Sequence, residues 1–380
     1  MNAARTKPII GRLAPSPTGY LHLGNAWAFL AAWLGVRAAG GRLILRLEDI
    51  DPQRSKPEFA LALQEDLRWL GLDWDEGPYT QSARFECYAA ALESLGGQGA
   101  ESDQAEKYAS GGRDLLYPCF CSRKELRELA GAPQAGGGSR QSGSSFRQSG
   151  SGFRQAGGGS NQSEDGNIRA GAGNAADGSY PGVCRNLSPQ EREERQRSGL
   201  PFAWRINFAQ NLRPEFLEFE DLILGRVNFR PEAAGGDFAL RRSDGVFAYQ
   251  LAVVLDDIEQ GVTQVVRGED ILGSTPRQLF LQSLFGGERP EYAHLPLLLD
   301  HQGERLAKRH ASISLRGLRA AGVSPEAIIG WLAHWSGLRT ELSPCRARDL
   351  VDSFSFSAIK RECELLPIDI ADRLLRLRAD

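Results

Sequence analysis

His22 and Gly24 stand where a phosphate could be held, at the end of the run Arg12-Leu-Ala-Pro-Ser-Pro-Thr-Gly-Tyr-Leu-His-Leu-Gly-Asn25. Pro15, Pro17 and Gly19 enforce a turn between the apolar run Ile9 to Leu13 and the apolar segment Asn25 to Val36, which predicts a strand, a tight loop and a helix start. A helix start offers unpaired N–H groups and a positive dipole end, and Gly24 lets a ligand approach the backbone. A plain loop and helix start is the bland alternative. Glu48 opens Glu-Asp-Ile-Asp51 after Gly41 to Leu47, an alternating run that reads as a strand. Ligands of open α/β sheets collect at the carboxyl ends of strands, which puts Glu48 near the first loop; a solvated acidic turn is the competing reading. Arg267 ends a third apolar strand, Val262 to Val266. Its guanidinium could form a bidentate pair with a substrate carboxylate, or it could pair with Glu269 or Asp270.

Sulfur chemistry is concentrated in two short pieces, Tyr117-Pro-Cys119-Phe-Cys121 and Tyr180-Pro-Gly-Val-Cys184. Zinc takes four ligands and favours soft donors, so three thiols with one oxygen or nitrogen could close a tetrahedron. Between the pieces, residues 131–178 are Gly, Ser, Gln, Asn and Arg with almost no apolar side chains, too little surface to offset the entropy of ordering. This stretch reads as a disordered low-complexity insertion. Loop-closure cost grows slowly with length, so the two pieces can still meet. Cys87, Cys345 and Cys363 have no such neighbours and read as core thiols.

The elements that must position these groups follow from periodicity. Pro57 to Leu70 and Gln81 to Leu95 have helical apolar spacing, Glu191 to Arg197 reads as a solvated charged helix, and Phe202 to Ile206 as a strand. Phe216 to Phe229 reads as two short strands joined near Gly225. Asp237 to Asp257 reads as strand, turn at Asp244-Gly245, then strand or helix. A helix opens at Ser274, and Pro325 to Trp335 and Ala358 to Leu377 are expected to be helical. On sequence alone Tyr249 reads as a packed aromatic with a satisfied hydroxyl.

A chain of 380 residues is long enough for two or three domains. A net charge of −3 means that any nucleic-acid surface must be local. No signal-type apolar core or membrane-length run is present, so a cytoplasmic protein without membrane partners is expected.

Taken together, the blocks resemble those of class I aminoacyl-tRNA synthetases of the glutamyl and glutaminyl branch. The opening run resembles the His-Ile-Gly-His signature, with Asn25 at its fourth position. Arg-Leu-Glu48-Asp-Ile-Asp, then Val-Val-Arg267-Gly-Glu-Asp with Ser-Thr-Pro-Arg-Gln, look like the next blocks in family order. His294-Leu-Pro-Leu-Leu-Leu and Gly303-Glu-Arg-Leu-Ala-Lys308-Arg resemble the lysine-rich second signature, with Arg305 and Ala307 departing from the usual Lys and Ser. Tyr249-Gln-Leu-Ala is closer to the glutamyl-queuosine branch than to standard glutamyl enzymes.

The resemblance implies a Rossmann-type α/β catalytic domain in two halves, 1–97 and 237–300. Between them lies an acceptor-stem-like zinc insert, 98–236, and after them a helical stem-contact region, 301–380, with no anticodon-binding domain. It further implies a monomer that activates L-glutamate with ATP and Mg²⁺, without tRNA as an assembling cofactor, and transfers it to queuosine in tRNA(Asp). By the same resemblance Arg12, Ser16, Glu48, Tyr249 and Arg267 hold glutamate, and His22, Gly24, Asn25 and Lys308 meet ATP. Cys119, Cys121, Tyr180 and Cys184 would ligate one structural Zn²⁺. Two alternatives stay open: a glutamyl-tRNA synthetase fragment that charges a tRNA 3′ end, and a non-catalytic RNA-binding paralogue.

Overall fold

The computed structural model describes residues 7–96, 115–122, 124–126, 161–162, 168–170, 180, 182–306 and 314–377. The first half is built from β1 (Ile10–Leu13), α1 (Leu23–Ala38), β2 (Arg42–Leu47), α2 (Pro57–Trp69), β3 (Glu76–Thr80) and α3 (Phe85–Leu95). The three strands are parallel, β1 pairing Gly11 with Leu43 and β2 pairing Ile44 with Glu76. Helix α1 is buried on most of its circumference, as its all-round apolar composition demands, because one face covers the sheet and another meets the C-terminal helices. There the Trp27 ring meets Trp335 edge-on at 5.4 Å, and its indole N–H donates to the Pro296 carbonyl at 3.2 Å.

The middle of the chain supplies β4 (Leu116–Cys119), β5 (Asn161–Gln162), β6 (Ile168–Ala170), α4 (Pro189–Arg197), β7 (Ala203–Ile206), α5 (Pro214–Leu217), β8 (Glu218–Asp221), β9 (Gly225–Phe229) and β10 (Phe238–Arg241). Helix α4 buries no residue and is closed by a Ser188–Glu191 capping box, while Arg195 lies over the Phe120 ring. Strands β5 and β6 fall inside the stretch expected to lack order; β6 pairs in parallel with β9, whose edge would otherwise expose unpaired backbone groups.

The remainder comprises α6 (Tyr249–Glu259), β11 (Gln264–Gly268), α7 (Thr275–Leu284), β12 (Glu291–Leu295), β13 (Leu298–Leu299), α8 (Leu315–Ala320), α9 (Pro325–Trp335), β14 (Glu364–Leu365) and α10 (Ile370–Arg376). Strand β11 lies beside β1: the Thr263 N–H donates to the Ile10 carbonyl at 2.9 Å, and the Ile10 N–H donates to Thr263 Oγ1 at 2.8 Å. Strands β11, β12 and β8 are parallel neighbours. The carboxyl ends of β1, β2 and β11 therefore open on one side of the sheet, where α1 begins.

Two expectations need correction. Strands β8 and β9 belong to the sheet of β11 and β12, whereas β10 pairs with β7 and β4, so the sheets cross the boundary read at 236/237. Residues 358–377 are not one helix. Leu366 donates its N–H to the Leu299 carbonyl at 2.7 Å to extend the β13–β14 pairing, and Pro367 separates that strand from α10. Strand β3 was not anticipated, because Glu-Gly-Pro-Tyr-Thr lacks apolar alternation and is drawn into the sheet by the free edge of β2. Among the described residues no helix is long and apolar enough to cross a membrane.

Candidate active site

A cavity of about 1260 Å³ opens above those strand ends. Arg12, Ser16, His22, Gly24, Asn25, Glu48, Tyr249 and Arg267 all line it, so residues up to 255 positions apart in sequence meet at one cavity. Lys308, with Ala307 and Arg309, lies outside the described residues.

The loop end is set by helix capping. His22 is the N-cap of α1, its Nδ1 accepting from the Asn25 N–H at 3.3 Å while Asn25 Oδ1 accepts from the His22 N–H at 3.1 Å. Asn25 at the fourth signature position thus completes a reciprocal cap, and acceptance at Nδ1 leaves the proton of a neutral His22 on Nε2. A Cβ on Gly24 would stand 3.1 Å from the His22 ring and 3.7 Å from Leu306, so glycine keeps the imidazole in place.

On one side of the cavity the groups are ionic. Arg12 is buried, 3.5 Å from Asp257, and donates to the Val266 carbonyl at 3.3 Å. Arg46 is fully buried at the same level, 2.8 Å from Asp257, 3.6 Å from Glu48 and 3.8 Å from Asp256. Burial pushes the Glu48 carboxyl up to about 7, against the pull of Arg46 and then Arg12. Asp256 is held in turn by Arg84 at 2.6 Å, Gln81 at 2.8 Å and Tyr88 at 2.9 Å. Tyr249 begins α6 beside this mesh, its hydroxyl pushed up to about 12 by burial and by Glu48.

Arg267, in contrast, has neutral partners. Its Nε donates to His294 Nε2 at 3.0 Å, Nη1 to Gln278 Oε1 at 2.5 Å and Nη2 to Thr275 Oγ1 at 2.8 Å, with the Tyr292 ring 5.1 Å from the guanidinium carbon. Neither Glu269 nor Asp270 takes it. Asp270 pairs with Arg305 at 2.7 Å, and Glu269 accepts from the Cys363 thiol at 2.8 Å. Cys363 is therefore no core thiol: its sulfur also accepts from the Leu297 N–H at 3.1 Å, against the cavity wall. Cys345 is buried and Cys87 half-buried.

The sequence reading missed Arg46, Asp256, Asp257, Thr275 and Gln278 as parts of this site. The signal for the first three was a charge inside an apolar strand, Arg-Leu-Ile-Leu-Arg46-Leu, and a pair of acids inside an apolar helix, Val-Val-Leu-Asp256-Asp257.

A second cluster gathers the sulfur residues. The sulfurs of Cys119, Cys121 and Cys184 lie within 4.8 Å of one another, and the Tyr180 hydroxyl is 3.5 Å from Cys119 and 3.6 Å from Cys121. That hydroxyl accepts from the Cys184 N–H at 2.8 Å. A hydrogen bond with the Cys119 thiol draws the Cys184 thiol down, and the same bond, with burial, pushes Cys119 up. Three soft donors and one oxygen that converge in this way, one of them ready to ionise, fit a tetrahedral zinc ion.

Comparison with known proteins follows the same lines. The family described as "tRNA synthetases class I (E and Q), catalytic domain" matches residues 8–170 and 160–358. A protein of Nitratidesulfovibrio vulgaris named glutamyl-Q tRNA(Asp) synthetase is 46% identical over 374 residues, 96% of this chain and 98% of that one. One of the same name from Symbiobacterium thermophilum is 44% identical over 370 residues, 95% of this chain and 97% of that one. The glutamate–tRNA ligase of Aquifex aeolicus is 37% identical over 322 residues, 84% of this chain but 56% of that one. Among solved structures, a glutamate tRNA ligase from Elizabethkingia meningosepticum superposes with a TM-score of 0.66 at 24% identity, covering 96% of this chain and 68% of that one; the likeness is one of fold.

Proposed function

Since the chain belongs to the class I aminoacyl-tRNA synthetases of the glutamate and glutamine type and is a ligase of that family, we propose that it activates L-glutamate without tRNA and transfers it to queuosine in tRNA(Asp). In the first step a glutamate α-carboxylate oxygen attacks the α-phosphorus of ATP, and the bond to pyrophosphate breaks. In the second a hydroxyl of queuosine, at the wobble position, attacks the adenylate carbonyl carbon, an ester forms and AMP leaves. Little covalent chemistry falls to the protein, which acts by positioning and charge.

The observation that carries this reading is the cavity itself, which a capped helix start, two dissimilarly held arginines, Glu48 and Tyr249 line together. Arg267, with Arg12, Ser16 and Tyr249, would hold glutamate, and Glu48 its ammonium group. His22, the α1 N-terminus with Gly24 and Asn25, and Lys308 would hold the phosphates that Mg²⁺ shields. Cys119, Cys121, Tyr180 and Cys184 would hold one zinc ion, which ties together chain segments 59 residues apart. Support for queuosine as acceptor comes from relatives of that name that match along nearly their whole length.

The test is to incubate the protein with labelled glutamate, ATP and bulk tRNA and to locate the label. It is expected to leave with the excised anticodon loop of tRNA(Asp) and to survive periodate treatment of the 3′ end. Label on the terminal adenosine of tRNA(Glu) would establish ordinary aminoacylation instead, and absence of glutamate-dependent ATP–pyrophosphate exchange would establish the non-catalytic alternative.

A further inference from the structure

Arg267 of β11 and His294 of β12 are cross-strand partners, and Asp221 stands at the end of β8, the next strand along. The three side chains run in a line across the sheet, and Asp221 and His294 are completely buried. Neither of these two lines the cavity.

Asp221 is fastened before it reaches the histidine. Its Oδ1 accepts from the N–H groups of Ile223 and Leu224 at 3.0 Å each, and Oδ2 accepts from the His294 N–H at 3.1 Å. Oδ2 also lies 2.6 Å from His294 Nδ1. A carboxylate at that distance requires a donor, so the imidazole proton sits on Nδ1 and Nε2 keeps its lone pair. That lone pair meets the Arg267 Nε–H at 3.0 Å. Were the tautomer reversed, two N–H groups would oppose each other at 3.0 Å. The Tyr292 ring lies nearly parallel to the His294 ring, at 15° and 5.8 Å, and also flanks the guanidinium, which limits sideways movement.

A guanidinium has five N–H donors. His294, Gln278 and Thr275 take one each, which leaves two on the Nη atoms of a side chain that lines the cavity. Gln278 is itself oriented, its amide donating to Gln250 Oε1 at 2.9 Å. Among the described residues every direct partner of Arg267 is neutral, so its orientation is fixed while its charge stays available.

We propose that Asp221 and His294 are positioning residues for the carboxylate-binding Arg267: Asp221 selects the Nδ1–H tautomer, and the bare Nε2 of His294 then pins the guanidinium edge-on so that its remaining Nη–H donors meet the amino-acid substrate. The inference rests on the reading of Arg267 as a glutamate ligand.

The experiment is ATP–pyrophosphate exchange with the full chain, with KM measured separately for glutamate and ATP. His294→Leu removes the acceptor, and Asp221→Asn allows the ring to reverse its tautomer. Each is expected to raise KM for glutamate by about tenfold while KM for ATP stays within about twofold. His294→Gln, whose amide oxygen can replace Nε2 as acceptor, is expected to return KM for glutamate to within about threefold of the parent. A merely structural role would move both KM values together and would show no such rescue, and either result overturns the proposal. Circular dichroism checks folding; if His294→Leu does not fold, Asp221→Asn against His294→Gln decides, and an unchanged glutamate KM in Asp221→Asn overturns the proposal. Arg267→Ala separates the two levels. If it leaves glutamate KM unchanged, the glutamate reading of Arg267 fails and takes this proposal with it. If it raises that KM while His294→Leu does not, only the positioning role fails.

Discussion

Arg12 and Arg267 reach the same cavity from neighbouring strands, and both are buried, but they are held in opposite ways. Arg12 sits in a mesh where Arg12, Arg46 and Arg84 face Glu48, Asp256, Asp257 and Glu259, three cations against four carboxylates. Arg267 has only neutral partners and, among the described residues, no ion pair. A guanidinium already paired has little attraction left for another anion, whereas one held by neutral acceptors keeps its full field in a poorly solvated site. The carboxylate-rich mesh therefore favours an incoming ammonium group and Arg267 a carboxylate, a polarity suited to an amino acid.

This contrast orders the expected effects on glutamate activation. The largest is from Arg267→Ala, which should lower kcat/KM for glutamate in the exchange assay by roughly 100-fold, as expected for loss of a charge-assisted pair. Arg12→Ala should instead cost stability, about 1–3 kcal/mol by urea denaturation, because Asp257 is left to Arg46 alone. Equal activity and stability losses in the two variants would erase the distinction. Next in size is the choice of substrate. Glutamine, a neutral amide facing a buried guanidinium, should be activated more than about tenfold less efficiently than glutamate, and comparable kcat/KM values would refute a charge-reading Arg267.

Acidity should act through the carboxylate-rich mesh. Glu48 must be ionised to attract an ammonium group, and its carboxyl stands near 7, so kcat/KM for glutamate should climb as pH rises from about 6 to 8 and then level, by up to about tenfold per unit on the steep part. Glu48→Gln should flatten that limb; a limb that persists belongs to another group. The stability sign runs the other way. A carboxyl raised in the folded state keeps its proton where the unfolded chain has lost it, so this residue's contribution is full below about 4.5 and declines as pH rises towards about 7. The smallest effect should come from Cys184→Ser. Metal analysis should find about one zinc per parent chain and a marked loss in the variant, while exchange stays within about twofold because the thiol cluster packs apart from the cavity. Protein prepared without chelators and free of zinc would remove the metal reading.

Much of the site could be read along the chain because its determinants are local. Prolines and a glycine around Ser16 dictate the turn, periodicity dictates β1 and α1, and Arg267 falls at the end of its strand because Val262 to Val266 reads as one. The thiol pieces were legible for the same reason, since donor spacing within each piece is a local property. Residues 358–377 misled because apolar spacing alone cannot report that an edge strand, β13, waits for a partner. Asn25 read as a departure from the signature, and only the helix geometry shows it returning the hydrogen bond of His22.

The electrostatic character of the two arginine surroundings was beyond any local reading. Whether Arg267 meets Asp270 or His294, and whether Arg12 is paired or free, depends on contacts across 27 and 245 positions of sequence. Periodicity says that a side chain faces inward, but the protonation of Glu48 and the tautomer of His294 depend on which charges are buried beside them. Those neighbours are chosen when the parallel strands close side by side, because burial makes each ion's energy depend on every partner within a few ångströms regardless of its distance along the chain.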